Sequence, residues 1–385
     1  MDTDEPDAPD RSPSSDTPSS RPAIRVRQRP LLRVRSLVDL LALVPVTLGF
    51  EPQESLVVVA LDGSHPGFQL RVDLPDASAD ETEADSLAEQ AAAAVRRQGC
   101  TRAAVIVFSH RGQASERVAE VAGRHLEDAG VELLDVLRTD GRRYWSLLCG
   151  DAACCPRAGT PYDPRTSSLR AEAALAGRSV VPDRAALAAR FAAVTGPEQA
   201  AARSALDRVE DDVVALLGLQ ARAQVCQLSG QPAQLAAPVG ARRVDAVLDV
   251  LLPDAPTTAE VPIDVPVSSG DAATLAVWCA LTPVRDVAWA RMTRADAHRH
   301  LRLWTAVARR TLPPYEPAVL GLTAFAAWLC GDGASAWCAL DRCLHADPDY
   351  PMAELLQSAL HRCVPPDSWS PPPRHLVWAA CGLQG

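Results

Sequence analysis

Residues Ala103–Phe108 read AAVIVF, six apolar side chains in a row, three of them β-branched. The run is too short for a buried helix and has no polar face. It is therefore a strand buried on both sides, and a sheet holding such a strand needs helices to cover it. Neighbouring segments supply both. Leu56–Leu61 and Gln69–Leu74 read as strands joined by the turn DGSHPG, and VELLDVLRTD with RRYWSLLC forms a hairpin around Asp140-Gly141. Leu37, Leu40, Leu41 and Val44 follow helical spacing behind Ser36, in a helix expected to stop near Pro45. A second helix carries Leu87, Ala91, Ala94 and Val95 behind the capping pair Asp80 and Glu83. A third carries Val118, Val121, Ala122, His125 and Leu126.

Beyond residue 165 the pattern turns helical, with Leu187, Phe191 and Val194 on one face and Leu206, Val209, Val213, Leu216 and Leu217 on another. In the segment 317–351, small or apolar residues at Ala324, Ala327, Ala336, Leu340 and Cys343 have the spacing of one tetratricopeptide helix pair. One unit is visible rather than three, so a full solenoid is not expected. The fold class is α+β: an N-terminal mixed α/β sheet domain, then an all-α C-terminal region with a tetratricopeptide-like helix pair. The expected divisions are a disordered tail (1–30), the α/β domain (31–165), a helical middle segment (166–252), a Pro-rich linker (253–270), a helical C-terminal domain (271–365) and a tail (366–385).

Composition removes several chemistries. The 385 residues contain no lysine and no asparagine, so all 38 basic residues are arginines. That excludes a P-loop ammonium, a Schiff-base lysine, a protein-kinase β3 lysine and a Cys-His-Asn triad. A net charge of -10 speaks against non-specific nucleic-acid binding, although Arg25–Arg35 is locally basic and reads as a solvated arm or edge strand, with a contact to phosphate or an acidic partner as the alternative. Eleven scattered cysteines, with no apolar leader and no run of about 20 apolar residues, lead to the expectation of a cytoplasmic protein with reduced thiols and no membrane span.

Three site candidates emerge. Ser55 precedes its strand, and GFEPQES lacks the G-x-S-x-G spacing of a nucleophile elbow, so Ser55 is read as a hydroxyl closing a local turn. The carboxyl end of a strand where a helix begins is the better ligand position. FSHRGQ occupies it, placing Ser109, His110 and Arg111 beside helix N–H groups able to hold an anion; the alternative is a capped turn. Arg71 and Asp73 alternate onto one strand face and either line the same crevice or form a surface ion pair. Third, CGDAACCP contains Cys149, Cys154 and Cys155. Zinc usually draws on two C-x2-4-C pairs, and no second pair follows, so structural or labile thiols are the plainer reading. A redox-active or metal-bound cluster, with zinc as the candidate cofactor and His65, His110 or His125 as a fourth ligand, is the sharper one. His298 and His300, two apart on a helix, point to different faces. Trp278, Trp289, Trp304, Trp328 and Trp337 are expected in the core.

The pattern P-x-x-L-G-F-x-P-x-x-S-L-V-V (Pro45–Val58), with RVDLP, YWSLLCGDAACCPRAGTP, VRDVAWARM and AAWLCGDGASAWCALDRCLHADPDYPMAELL, resembles an actinobacterial family known only as domain of unknown function 4192. The resemblance spans residues 31–369. It implies the boundaries and cytoplasmic location above and no catalytic role. The expected function is a non-catalytic binding or scaffold module. It would take a protein partner through the helical C-terminus and a small anionic ligand on the α/β domain. The alternatives are a hydrolase-type enzyme with its site around Arg71, Asp73, His110 and Arg111, and a metal- or thiol-dependent regulator built on the three cysteines.

Overall fold

The structure, a computed structural model, describes residues 34–62, 65–76, 81–175, 178–253 and 266–384. The N-terminal tail, Arg25–Arg33 of the basic segment, Asp80 of the capping pair and most of the Pro-rich linker lie outside these residues. Helix α1 (Leu37–Leu48) begins at Ser36, whose hydroxyl accepts from the Asp39 N–H at 3.1 Å. It does not stop near Pro45 as the sequence predicts. Proline forfeits one backbone N–H, and the helix absorbs that loss and runs on to Leu48. Gly49 then closes it in a left-handed conformation, φ 78°, with its N–H on the Pro45 carbonyl.

Strands β1 (Ser55–Asp62) and β2 (His65–Asp73) form an antiparallel hairpin, and α2 (Glu81–Arg97) follows. Strand β3 (Arg102–Phe108) pairs antiparallel with β1. A crossover through α3 (Gln113–Asp128) leads to β4 (Glu132–Thr139), parallel to β3, and β5 (Arg143–Ser146) and β6 (Thr160–Pro161) complete the sheet by antiparallel pairing. The order β2-β1-β3-β4-β5-β6 makes a mixed sheet. Leu56, Val58 and Ala60 of β1 and Ala103, Val105 and Val107 of β3 pack under α2 and α3. Val57, Val59, Ala104 and Ile106 pack on the opposite face under α1 and α4 (Ser168–Leu175). The doubly apolar strands thus sit in the middle of three layers, as their lack of a polar face requires.

The remaining described residues are mainly helical: α5 (Arg184–Ala189), α6 (Gly196–Leu217), α7 (Gly230–Leu251), α8 (Ser269–Cys279), α9 (Thr282–Ala290), α10 (Ala297–Arg310), α11 (Glu316–Leu329), α12 (Gly333–Ala346), α13 (Pro351–His361) and α14 (Arg374–Ala380). The molecule is α+β overall. Trp278 and Trp304 are fully buried, and α11 is buried from Ala318 to Leu329. Helices α11 and α12 run antiparallel, since the Cys343 thiol near the end of α12 reaches the Pro317 carbonyl at the start of α11. Ala324, Ala327, Ala336, Leu340 and Cys343 all lie in their shared core, where small side chains admit close approach.

The two halves meet at the turn after α1. Phe50 leaves the sheet domain and packs in the helical core with Leu187 and Phe191. The backbone on either side is pinned: the Glu51 N–H donates to the Val181 carbonyl at 3.0 Å, and the Val181 N–H to the Gly49 carbonyl at 2.9 Å. The most recognisable stretch of the sequence, LGFEPQES, is therefore a joint.

Candidate functional site

Because β1 runs antiparallel to β3, its first residue stands at the edge where β2 and β3 end. Ser55 lies opposite both Asp73 and Phe108. The order of elements in the sequence puts the serine on the wrong side for an elbow; the pairing returns it to the edge that carries the Ser109–Arg111 turn. Its hydroxyl is nonetheless spent locally, donating to the Gln53 carbonyl at 2.7 Å and accepting from Arg71 Nε at 2.9 Å. Arg71 also pairs with Asp73 at 2.5 Å.

Glu54 organises the same edge. Its backbone is left-handed, φ 42°, a conformation that costs a non-glycine residue on the order of 1 kcal/mol. Its carboxylate accepts from the Ser109 hydroxyl at 2.8 Å and the His110 N–H at 3.2 Å, and pairs with Arg111 Nε at 2.7 Å. Arg111 also donates to the Pro75 carbonyl. The sequence leaves open an anion site or a capped turn here, and in the structure the turn's donors are met by the Glu54 carboxylate of the same chain. Sequence reasoning missed Glu54, because nothing in EPQES reveals that β3 will pair with β1. Ser109, Arg111, Arg71 and Asp73 come together as two adjoining clasps whose polar atoms satisfy one another. Farther along the edge, Tyr162 shares a 2.8 Å hydrogen bond with the buried Thr139 hydroxyl. A cleft of about 580 Å³ opens beside α1 and α4, where the Arg170–Glu51 ion pair and Arg178 face Val46 and Val181.

The cysteine segment lies between β5 and β6. Both ends are held. Trp145 Nε1 donates to the Arg157 carbonyl at 3.1 Å, and Arg143 donates to the carbonyls of Ala158 and Gly159 at 3.1 and 2.8 Å. Gly159, at φ 78°, lets the chain pass over the Trp145 ring; a Cβ there would stand 2.5 Å from ring carbon Cε2. Arg138 stacks on the other part of this assembly, 3.5 Å from the Trp145 ring centroid. Between these anchors the chain turns tightly, with the N–H groups of Cys154 and Cys155 on the Asp151 carbonyl at 3.1 and 2.7 Å.

That turn gathers the Sγ atoms of Cys149, Cys154 and Cys155 to within 4.8 Å of one another. The spacing in the sequence counts against a shared ion, yet one reversal at Asp151 cancels the separation between Cys149 and the later pair. The Asp151 N–H and the neighbouring thiols donate to the Cys149 sulfur and lower its pKa, whereas Cys155, donor to Cys149 and partly shielded from water, is pushed up to about 12. Among the described residues no histidine or carboxylate joins the group. His125 pairs with Asp85 at 3.1 Å, His110 lies on the Glu54 turn with its backbone N–H on that carboxylate, and the His65 side chain lies outside the described residues. Three soft sulfur donors on a fixed turn suit a thiophilic metal ion. His298 and His300 part company as expected: His298 meets the Cys330 thiol at 3.3 Å, while His300 is buried.

The family model described as "Domain of unknown function (DUF4192)" matches residues 38–367, which takes in the joint, the strand-end clasps, the cysteine turn and most of the helical half. No curated protein and no solved structure matches the chain.

Proposed function

We propose that this chain, which belongs to the family described as Domain of unknown function (DUF4192), is a non-catalytic binding module that holds a soft, thiophilic ion on the β5–β6 hairpin. The observation carrying this reading is the convergence of Cys149, Cys154 and Cys155 Sγ atoms within 4.8 Å on a turn anchored at both ends. A preorganised turn lowers the ordering cost of bringing three ligands to one ion. The hydrolase alternative is less favoured, because Ser55, Arg71, Asp73, Ser109 and Arg111 are engaged with one another and with Glu54. Metal analysis of protein purified without a metal-affinity tag is the test. About one soft ion per chain is expected in the wild type and none in the triple Cys149→Ser, Cys154→Ser, Cys155→Ser variant; equal content in both would remove the reading.

A protein partner is the second part of the proposal, together with a cytoplasmic location and a tetratricopeptide-like use of the α11–α12 pair. Leu355 on α13 supports it, being 73% exposed beside the buried Met352 and Leu356. Deleting residues 317–385 would remove the fully buried α11 and with it the helical core, so Leu355→Glu is the cleaner variant. It should lose a protein that co-purifies with the wild type from the native host; unchanged recovery counts against this face.

A further inference from the structure

Resting on the thiophilic-ion reading, we infer that the triad is built for a three-coordinate trivalent thiophilic ion of the arsenic(III) class in preference to four-coordinate zinc. The donors number three, and among the described residues no fourth titratable ligand stands with them. The Asp151 carboxylate, adjacent in sequence, is turned to the Ala153 N–H at 2.9 Å. A closed zinc site takes four protein donors in a tetrahedron, so zinc here would have to complete its shell with solvent. The direction of approach points the same way. All three sulfurs come from one short turn, and Cys154 is exposed. They therefore reach an ion from one side and leave its other side to solvent, which is the arrangement of a pyramidal trithiolate with its lone pair directed outward.

The size also fits. Sulfur bonds of roughly 2.3 Å at a pyramidal angle place neighbouring sulfurs of one ion about 3.5 Å apart, so the turn closes by little more than about an ångström from its present 4.8 Å limit. The exchange balances without any redox step. Arsenous acid, As(OH)3, meets three thiols; three As–O bonds break and three As–S bonds form; each thiol proton leaves on a hydroxide as water. The product is neutral at the metalloid, so no counter-ion is required from the protein. The sequence places the two adjacent cysteines, Cys154 and Cys155, beside one distant cysteine, and the fold supplies the reversal that makes the third bond available.

The experiment uses the full, reduced chain and sodium arsenite as the probe, with native mass spectrometry and thiol counting. One arsenic per chain and the loss of three titratable thiols are expected for the wild type. Each single Cys→Ser variant at 149, 154 or 155 should lose stoichiometric binding while keeping wild-type circular dichroism, and equimolar zinc should not displace the arsenic. Zinc or cadmium binding through the triad without arsenite binding, or displacement of arsenic by zinc, overturns the three-coordinate inference and leaves the thiophilic-ion reading standing. Failure of every soft ion to distinguish wild type from the triple serine variant overturns both.

Discussion

Phe50→Ala should cost about 3–5 kcal/mol of stability, the range for emptying a buried aromatic site. The side chain originates in the sheet domain and is buried in the helical core cluster that also holds Leu187 and Phe191. Its neighbours cannot collapse freely into the space, because Gly49 and Glu51 are both hydrogen-bonded to Val181. Arg71 adds a second constraint, with its guanidinium 5.8 Å from the Phe50 ring centroid and its Nε on Ser55. The truncation should therefore also loosen the link between the two halves. Urea unfolding followed by tryptophan fluorescence, which reports the helical half most strongly, and by far-ultraviolet circular dichroism should give separated transitions in the variant. A loss below about 1 kcal/mol with coincident transitions would show that the turn is not the joint described above.

His300 is expected to make the protein acid-sensitive well above the carboxylate range. It is 3% exposed, its Nδ1 has no hydrogen-bond partner, and burial lowers its pKa from 6.5 to about 4. Asp296, 3.9 Å from Nε2, and the Arg291 backbone oppose that shift, while the guanidinium charges of Arg291 and Arg299 add to it. Above pH 6.5 the imidazole is neutral in the folded and the unfolded chain and contributes no pH dependence. Between pH 6.5 and about 4 the unfolded chain takes up the proton and the folded one does not. Stability should fall by up to about 1.4 kcal/mol per pH unit over that window, about 3 kcal/mol in all, and level off below it. The buried carboxyls of Asp135 and Asp332 work in the other direction, since burial raises their pKa. The difference between wild type and His300→Leu isolates the histidine. The variant should lose the slope between pH 6.5 and 4; an identical slope in both proteins would assign the acid sensitivity elsewhere.

The sheet was legible because its central strands have no polar face. Val57 and Val59 had to be covered on one side and Leu56 and Val58 on the other, whatever the connectivity. The crossover between β3 and β4 followed from an amphipathic helix between two apolar runs. Long-range pairing was not legible. Antiparallel β1–β3 pairing is what carries Ser55 and Glu54 to the Ser109–Arg111 turn, and no local pattern encodes it. The left-handed Glu54 is equally silent in sequence, since a glutamate carries no mark of its φ angle. Pro45 misled in a different way: one missing N–H near the end of a well-packed helix cost less than the packing of Leu43, Val44 and Val46 returns. For the cysteines, counting residues between ligands ignored that a tight turn folds the count back on itself.

The central claim is that Cys149, Cys154 and Cys155 bind one soft ion together. Cadmium titration of the reduced chain, followed by sulfur-to-metal charge-transfer absorption, tests it most directly because the signal scales with the number of metal–thiolate bonds. One equivalent should saturate the signal, each single Cys→Ser variant should remove about a third of it, and the triple variant should remove it. A spectrum unchanged by those substitutions would place the bound cadmium on other cysteines and contradict the account.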